Sequence, residues 1–203
     1  WALEYGLDMS TASLPLKAFL MNLRVTFIVF IPLAVLWLVL EYTGQGAWLT
    51  RRRLVLLLIV PVLTVLLAWT SSYHSLLYYN FRLNLDAPFP LLLWDRGLMY
   101  WVAQLYLVTI DAGAAWILFG SFRAHGLSRN ILVLILGILI PLSADVLYNL
   151  GITPWRGYNP TSTTFVITGA LFAWAVLRFR LFDDGLGRGS KCHRGALPHS
   201  SLQ

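Results

Sequence analysis

A chain of 203 residues that is 58% hydrophobic, 12% charged and of mean hydropathy +0.69 is too apolar for a soluble domain, in which roughly 25% of residues are charged. Its net charge of +6 does not indicate nucleic acid, because the basic residues gather at the ends of apolar runs, which is the membrane pattern. The single cysteine, Cys192, excludes a disulfide framework within one chain.

Taken in order, residues 1–9 are half apolar, too short to span a bilayer, and lack the basic start of a signal peptide. Beginning at Trp1 rather than Met, they read as the outer end of a helix in a processed or longer protein. Residues 10–17 read as a loop around Pro15. The first full span is 18–40, long enough at about 1.5 Å per residue to cross about 30 Å of hydrocarbon. Pro32 lies inside it, which is tolerated where neighbouring helices cover the freed carbonyl. Arg51, Arg52 and Arg53 precede a second span at 54–70. A long connection follows at 71–97, rich in Tyr, Asn, Pro and Trp, with an apolar part at 88–94; a hairpin is one arrangement it permits. Further spans are expected at 98–120, 130–150 and 163–181. The fold class is therefore all-α, a polytopic transmembrane helix bundle of five full spans plus part of a preceding one. One domain at 1–184 precedes a flexible cytoplasmic tail at 185–203.

Orientation follows from the basic residues of the short loops. Arg51–Arg53, then Arg123 and Arg129, then Arg178, Arg180, Arg188, Lys191 and Arg194 fall on one side, which is therefore cytoplasmic. Residues 10–17, 71–97 and 151–162 fall on the other, where Trp69, Tyr73, Tyr78, Tyr79, Trp94, Tyr148 and Trp155 make an aromatic belt. The expected location is the inner membrane, multi-pass, with a cytoplasmic C-terminus.

Ionisable groups inside spans cost about 2.5–3.5 kcal/mol each on insertion scales and so need a reason. Arg24 and Asp145 lie at similar depth in the first and fourth spans and are expected to pair. Such a pair is either a structural tie or the floor of an outward-facing pocket. Tyr100, Gln104 and Asp111 recur on one face of the third span, and Asp145, Tyr148 and Asn149 on one face of the fourth. Asp111 is expected to be protonated or hydrogen-bonded, for instance to Thr64. With Trp155 and Tyr158 in the next loop, the Asp145 face is the best candidate for a ligand site. His74, at the outer end of the second span, reads as a capping or interface residue; a haem pair lacks a second histidine there. The only lysines, Lys17 and Lys191, fall outside the expected spans, which excludes a retinal Schiff base. Phosphate-loop, zinc-protease, serine-hydrolase and C-x-x-C motifs are missing. No cofactor, metal site or catalytic residue is expected.

Several stretches carry a family resemblance. LPLKAFLMNLRVTFIVFIPLAVLWLVLEYTG, with Lys17, Pro32 and Tyr42-Thr43-Gly44, resembles the third helix of the seven-helix sensor region of membrane histidine kinases. WLTRRRLVLLLIVPVLTVLLAWTSSYHSL, with Pro61, Thr64, Thr70 and His74, resembles the next helix. ILIPLSADVLYNLGITP and TFVITGALFAWAVLRFRLFD resemble the last two, and the similarity extends over residues 1–184. The most specific piece is R-x-R-L-F-D, which in that family passes the last helix to a cytoplasmic module. The resemblance thus implies signal output through Arg178, Arg180, Phe182 and Asp183. It also implies two earlier helices, only the tail of the second being present at 1–9. Ser71 stands where the family often has Asn, and Asn159-Pro160-Thr161-Ser162 where it has Asp-x-Thr-Pro. After Asp184 the Gly- and Ser-rich tail has neither heptads nor kinase motifs.

The leading expectation is a receptor-like sensory module acting through Arg24, His74, Asp111, Asp145, Tyr148, Asn149 and Trp155. Its expected partners are membrane lipids, an unknown small ligand, and other membrane subunits or a second copy of the chain. The alternative is a non-catalytic accessory subunit of a respiratory or photosynthetic complex, making lipid or pigment contacts. A transporter is disfavoured because no internal repeat is seen.

Overall fold

The computed structural model describes residues 2–86, 88, 90–125, 129–152, 159–161 and 163–170. Helices α1 (Ala2–Ser10), α2 (Leu14–Ile28), α3 (Ile31–Tyr42) and α4 (Arg51–Trp69) come first. A hairpin of strands β1 (Tyr78–Asn84) and β2 (Leu91–Arg96) follows, then helices α5 (Leu98–His125) and α6 (Arg129–Asn149). Residues 163–170 are helical as well.

Four helical stretches among the described residues are long and apolar enough to cross a membrane: Leu14–Tyr42, Arg51–Trp69, Leu98–Arg123 and Ile131–Asn149. The expected fifth span, 163–181, is described only to residue 170; its remainder, and the tail at 185–203, lie outside the described residues. Lipid is the solvent these helices fit, since Trp116, Leu105 and Leu56 are 75%, 69% and 64% exposed. Apolar surface of that extent has no place in water.

The first span differs from its expected form at both ends. Leu14 already begins α2, with Pro15 in the first turn, where a missing N–H costs nothing. Lys17 therefore lies within the helix and is fully buried, not in a loop. Further along, the helix is interrupted at Val29 and Phe30, and Pro32 sits in the first turn of α3. A proline offers no amide hydrogen to the carbonyl four residues back, so α2 and α3 meet at a break that still counts as one span.

Pro61 has the same effect inside α4, but there the freed carbonyl finds a substitute. The Tyr106 hydroxyl of α5 donates to the Leu57 carbonyl at 2.6 Å, four residues before Pro61. Such repair from a neighbouring helix is what makes proline tolerable in a membrane span. α2 and α4 are joined by Trp69 Nε1, which donates to Thr26 Oγ1 at 2.9 Å, and by the edge-on Phe19–Trp69 ring pair. At the N-terminus of α4, Thr50 caps Arg53 and the Arg53 guanidinium donates to the Trp48 carbonyl at 2.7 Å. That end carries three arginines against the positive end of the helix dipole. Their exposed position at a span boundary explains them better as anchors in the headgroup layer.

Two apolar clusters hold the bundle. Leu36, Val39, Leu40, Ala114, Leu118, Leu134 and Ile138 join α3, α5 and α6. Met21, Val25, Val29, Ala68, Leu77, Tyr78 and Leu92 join α2, α4 and the hairpin. The hairpin is the arrangement the 71–97 connection permits, with register Tyr78↔Arg96 to Asn84↔Leu91 and a bulge between Tyr79 and Arg82. Asn80 takes φ 57° at the bulge, and its amide and the Arg82 guanidinium both donate to Asp95, at 2.7 and 2.9 Å. The hairpin enters α5 through Gly97, whose N–H donates to the Leu77 carbonyl at 2.9 Å. A Cβ on Gly97 would stand 2.1 Å from the Leu76 carbonyl oxygen, so only glycine permits this approach.

Two substitutions test these joints by thermal unfolding in detergent micelles. Gly97→Ala should destabilise by about 1–3 kcal/mol, because backbone rather than a flexible side chain must move. Tyr106→Phe should cost about 1–3 kcal/mol by leaving the Leu57 carbonyl without its donor. Unchanged midpoints would show that these joints carry no stability.

Candidate functional site

The polar faces of α5 and α6 meet at the hairpin end of the bundle. Tyr100 donates its hydroxyl to Asn149 Oδ1 at 2.7 Å. The Asn149 amide turns back along α6, donating to the Asp145 carbonyl at 2.9 Å and to its carboxylate at 3.3 Å. Gln104, one turn below Tyr100, donates to the same carboxylate. These four side chains, spaced at i and i+4 on their helices, form one connected network. In a region of low dielectric such a chain is strong when complete and costly when broken.

Helix α6 ends just above it. Gly151 takes φ +76°, and its N–H donates to the Tyr148 carbonyl at 3.1 Å while that of Ile152 donates to the Leu147 carbonyl at 3.0 Å. This is the Schellman closure, for which glycine is preferred. The Asn149 carbonyl accepts from Arg96 Nη1 at 3.1 Å. A guanidinium at a helix C-terminus meets the negative end of the dipole. Its carbon also lies 5.2 Å from the Tyr100 ring centre, 5.4 Å from Trp101 and 5.2 Å from Tyr148, within cation–π range. Arg96 is thus held by three rings and a helix end. Tyr78, on the hairpin beside these rings, is buried, and burial pushes its phenol above the usual range; Tyr148 adds to the effect and Arg24 opposes it.

Deeper in the bundle is a cavity of about 50 Å³. Asp111, Asp145, Thr161, Pro32, Pro141 and Phe165 are among its walls.

A second polar cluster ties α1 to the rest. Lys17 Nζ donates to the Asp8 backbone carbonyl, to Asp8 Oδ1 at 3.2 Å and to the Pro90 carbonyl at 2.8 Å. Arg24 Nη2 donates to the other Asp8 oxygen at 3.2 Å. One carboxylate therefore serves two cations from α2, and Lys17 reaches on to the hairpin turn.

The expected Arg24–Asp145 pair is corrected by this arrangement. Arg24 goes to Asp8, and Asp145 is served by Gln104 and Asn149. Asp111 lines the cavity, while the Thr64 hydroxyl donates to its own helix, to the Val60 carbonyl at 2.8 Å. His74 lies just past the end of α4: Nδ1 accepts from the Leu76 N–H at 3.3 Å, which leaves Nε2–H to meet the Thr70 hydroxyl at 2.9 Å. Tyr148 and Asn149 join the network. Trp155 and Tyr158 lie outside the described residues, as do Arg178, Arg180, Phe182 and Asp183.

Two contributors escaped the sequence. Arg96 is one of two arginines in the 71–97 connection, which the sequence alone does not tell apart; Arg82 pairs with Asp95, and Arg96 takes the end of α6. Asp8 lies in residues 1–9, which read only as too short to span a bilayer. Its signal was the pair of cations in the following apolar segment, which demand an acid.

Residues 1–184 match the family model described as the N-terminal 7TM region of histidine kinase. No curated protein and no solved structure matches the chain.

Asp8→Asn should lower stability by about 3–5 kcal/mol, because it leaves two cations facing a neutral amide in a buried setting. Arg82→Ala, which breaks an exposed pair, should change it by less than about 1 kcal/mol. Thermal unfolding of the two variants side by side checks the contrast; equal effects would show that the Asp8 cluster is solvent-screened.

Proposed function

Since the chain belongs to the N-terminal 7TM region of histidine kinases, we propose that it is a receptor-like sensory module that binds a small ligand at the hairpin end. The observation carrying this reading is the network of Arg96, Tyr100, Gln104, Asp145 and Asn149, set between two largely apolar helices. A structural bundle gains little from such a network, since apolar packing of similar volume is often as stable. A ligand with a carboxylate or carbonyl would compete for Arg96, and one with donors would compete for Asp145. Either exchange releases the end of α6 from β2 and α5.

On this reading the hairpin faces outward. Arg51–Arg53 and Arg123 then lie on the cytoplasmic side, following the bias of basic residues in the loops. The protein lies in the inner membrane with a cytoplasmic C-terminus. Residues 163–181 form a further span, and its end at Arg178–Asp183 passes displacement to whatever follows. The exposed Leu, Ile and Val of α4 contact lipid.

The test is a chimera in which residues 1–184 are joined to a heterologous histidine-kinase core in membranes. Asn149→Ala and Arg96→Gln should each shift basal autophosphorylation by about 5-fold or more, the range of ordinary allosteric coupling. Lipid-facing Leu56→Ala should leave it unchanged. If all three chimeras behave alike, and the intact chain instead co-purifies at fixed stoichiometry with other membrane subunits, the accessory-subunit reading replaces this one.

A further inference from the structure

We propose that the inner face of the hairpin, around Arg96, Tyr78 and Trp94, binds the carboxylate of a small solute. The antiparallel register sets Tyr78 directly opposite Arg96, so their side chains lie on one face of the hairpin, and Trp94, two residues before Arg96, shares it. The edge-on Tyr78–Trp94 ring pair, with centroids 6.0 Å apart, agrees with that placement. Tyr78 and Leu92 belong to the apolar cluster with Met21, Val25 and Ala68, so this face is turned to the bundle. Asp95 alternates to the other face, where it accepts from Asn80 and Arg82. The proposal rests on the sensory reading for its consequence, the release of Asn149 from Arg96, but its test reads binding alone.

This face is rich in donors and short of acceptors. A guanidinium carries several N–H donors and no acceptor. Arg96 donates to the Asn149 carbonyl, and no carboxylate pairs with it among the described residues. The three rings around it attract a cation, but more weakly than an oxyanion does. Asp145, in the layer below, accepts from Gln104 and Asn149. Arg24 is paired with Asp8, and its positive charge also reaches Tyr78. A second observation is independent of Arg96. Tyr78 is only 6% exposed, yet its hydroxyl has no hydrogen-bond partner among the described residues. The Trp94 Nε1, which is enclosed, has none either. Buried polar groups are normally satisfied, and an indole N–H can only donate, so the three side chains share the lack of one thing, an acceptor. A carboxylate supplies it. It meets the planar fork of a guanidinium with two parallel bonds and one matching charge, and it keeps lone pairs for a phenol beside it. Arg96 is half-buried and within reach of a solute, whereas contact with the enclosed Trp94 Nε1 requires the hairpin to shift.

The full chain in detergent, carrying nitrogen-15 in its indoles, is titrated with sodium propionate, and separately with propionamide, sodium dimethyl phosphate and sodium chloride at equal ionic strength. Propionate should shift the Trp94 indole N–H resonance, assigned by its loss in Trp94→Phe, and raise the thermal midpoint by roughly 3 °C. Propionamide and chloride should do neither, and dimethyl phosphate should act more weakly. Tyr78→Phe, which keeps the ring, should weaken propionate binding by about 10-fold, and Arg96→Gln should abolish it. If Arg96→Gln does not fold, Arg96→Lys keeps the charge, loses the fork and should weaken binding by about 10-fold. A response to dimethyl phosphate as strong as that to propionate would assign the face to a lipid headgroup and overturn the proposal. So would an equal response to propionamide, no response to propionate, or a propionate response that the Tyr78 and Arg96 variants leave intact. A kinase chimera that still responds to Asn149→Ala in any of those cases keeps the sensory reading and removes only the carboxylate.

Discussion

In a bilayer a polar group has no water to turn to, and every unmade hydrogen bond inside the hydrocarbon is charged in full. The prolines of this bundle show the consequence most directly. Pro61 strips the Leu57 carbonyl of its helical donor, and Tyr106 crosses from α5 to replace it. The indole of Trp69 finds Thr26 on α2, and that hydroxyl in turn donates to the Asn22 carbonyl of its own helix. Helices with little polar content are thereby fixed in azimuth, because each of these bonds requires one particular face to turn inward. Van der Waals packing alone, which drives helix association in lipid without a hydrophobic term, would tolerate rotation far better.

The same constraint separates the two ends of the molecule. Around Leu40, Leu118 and Leu134 the contact is apolar, and Ala114, with no exposure at all, lets α3 and α5 come close. Such a region can only hold. At the hairpin end the contact between α5 and α6 is a chain of hydrogen bonds ending on Arg96. Polar contacts have alternative partners, so this end can exchange them. The hairpin adds leverage, since β2 runs into α5 through Gly97 without slack and Lys17 binds its turn at Pro90. A displacement of the hairpin is therefore felt by Arg96, by α5 and by α1 together.

Much of this was legible from residue spacing alone. Hydropathy located five spans, four of which are seen among the described residues, and the intervals from Tyr100 to Gln104 and from Asp145 to Asn149 placed the network residues on single faces. A helical face needs only local periodicity, which a sequence carries. Partner choice is different, because it depends on where chain segments return in space. Arg24 and Asp145 stood at similar depth, which made them plausible partners, but depth leaves the angle around the bundle undetermined. The competitor was Asp8, on a short segment whose position is set by the turn at residues 11–13. Lys17 was misplaced for a related reason. Pro15 suggested a loop, whereas a proline in the first turn begins a helix as readily as it ends one.

The depth of Asp145 explains why one residue can serve both the network and the cavity. Its carboxylate accepts from Gln104 and Asn149, and the residue lines the same cavity as Asp111. Protonating that carboxylate weakens its hold on the two amides, because hydrogen bonds to an ionised acceptor are roughly twice as strong as neutral ones. The converse follows by linkage: whatever draws Asn149 or Gln104 away from Asp145 makes its ionised form less favourable. The break between α2 and α3 and the proline of α6 border the same space. Helices already interrupted there can bend without losing further backbone hydrogen bonds. The polar contact at the hairpin end, the cavity and the prolines in its walls thus form one contiguous region. It reaches Thr161, the first described helical residue of the segment leading to the C-terminus.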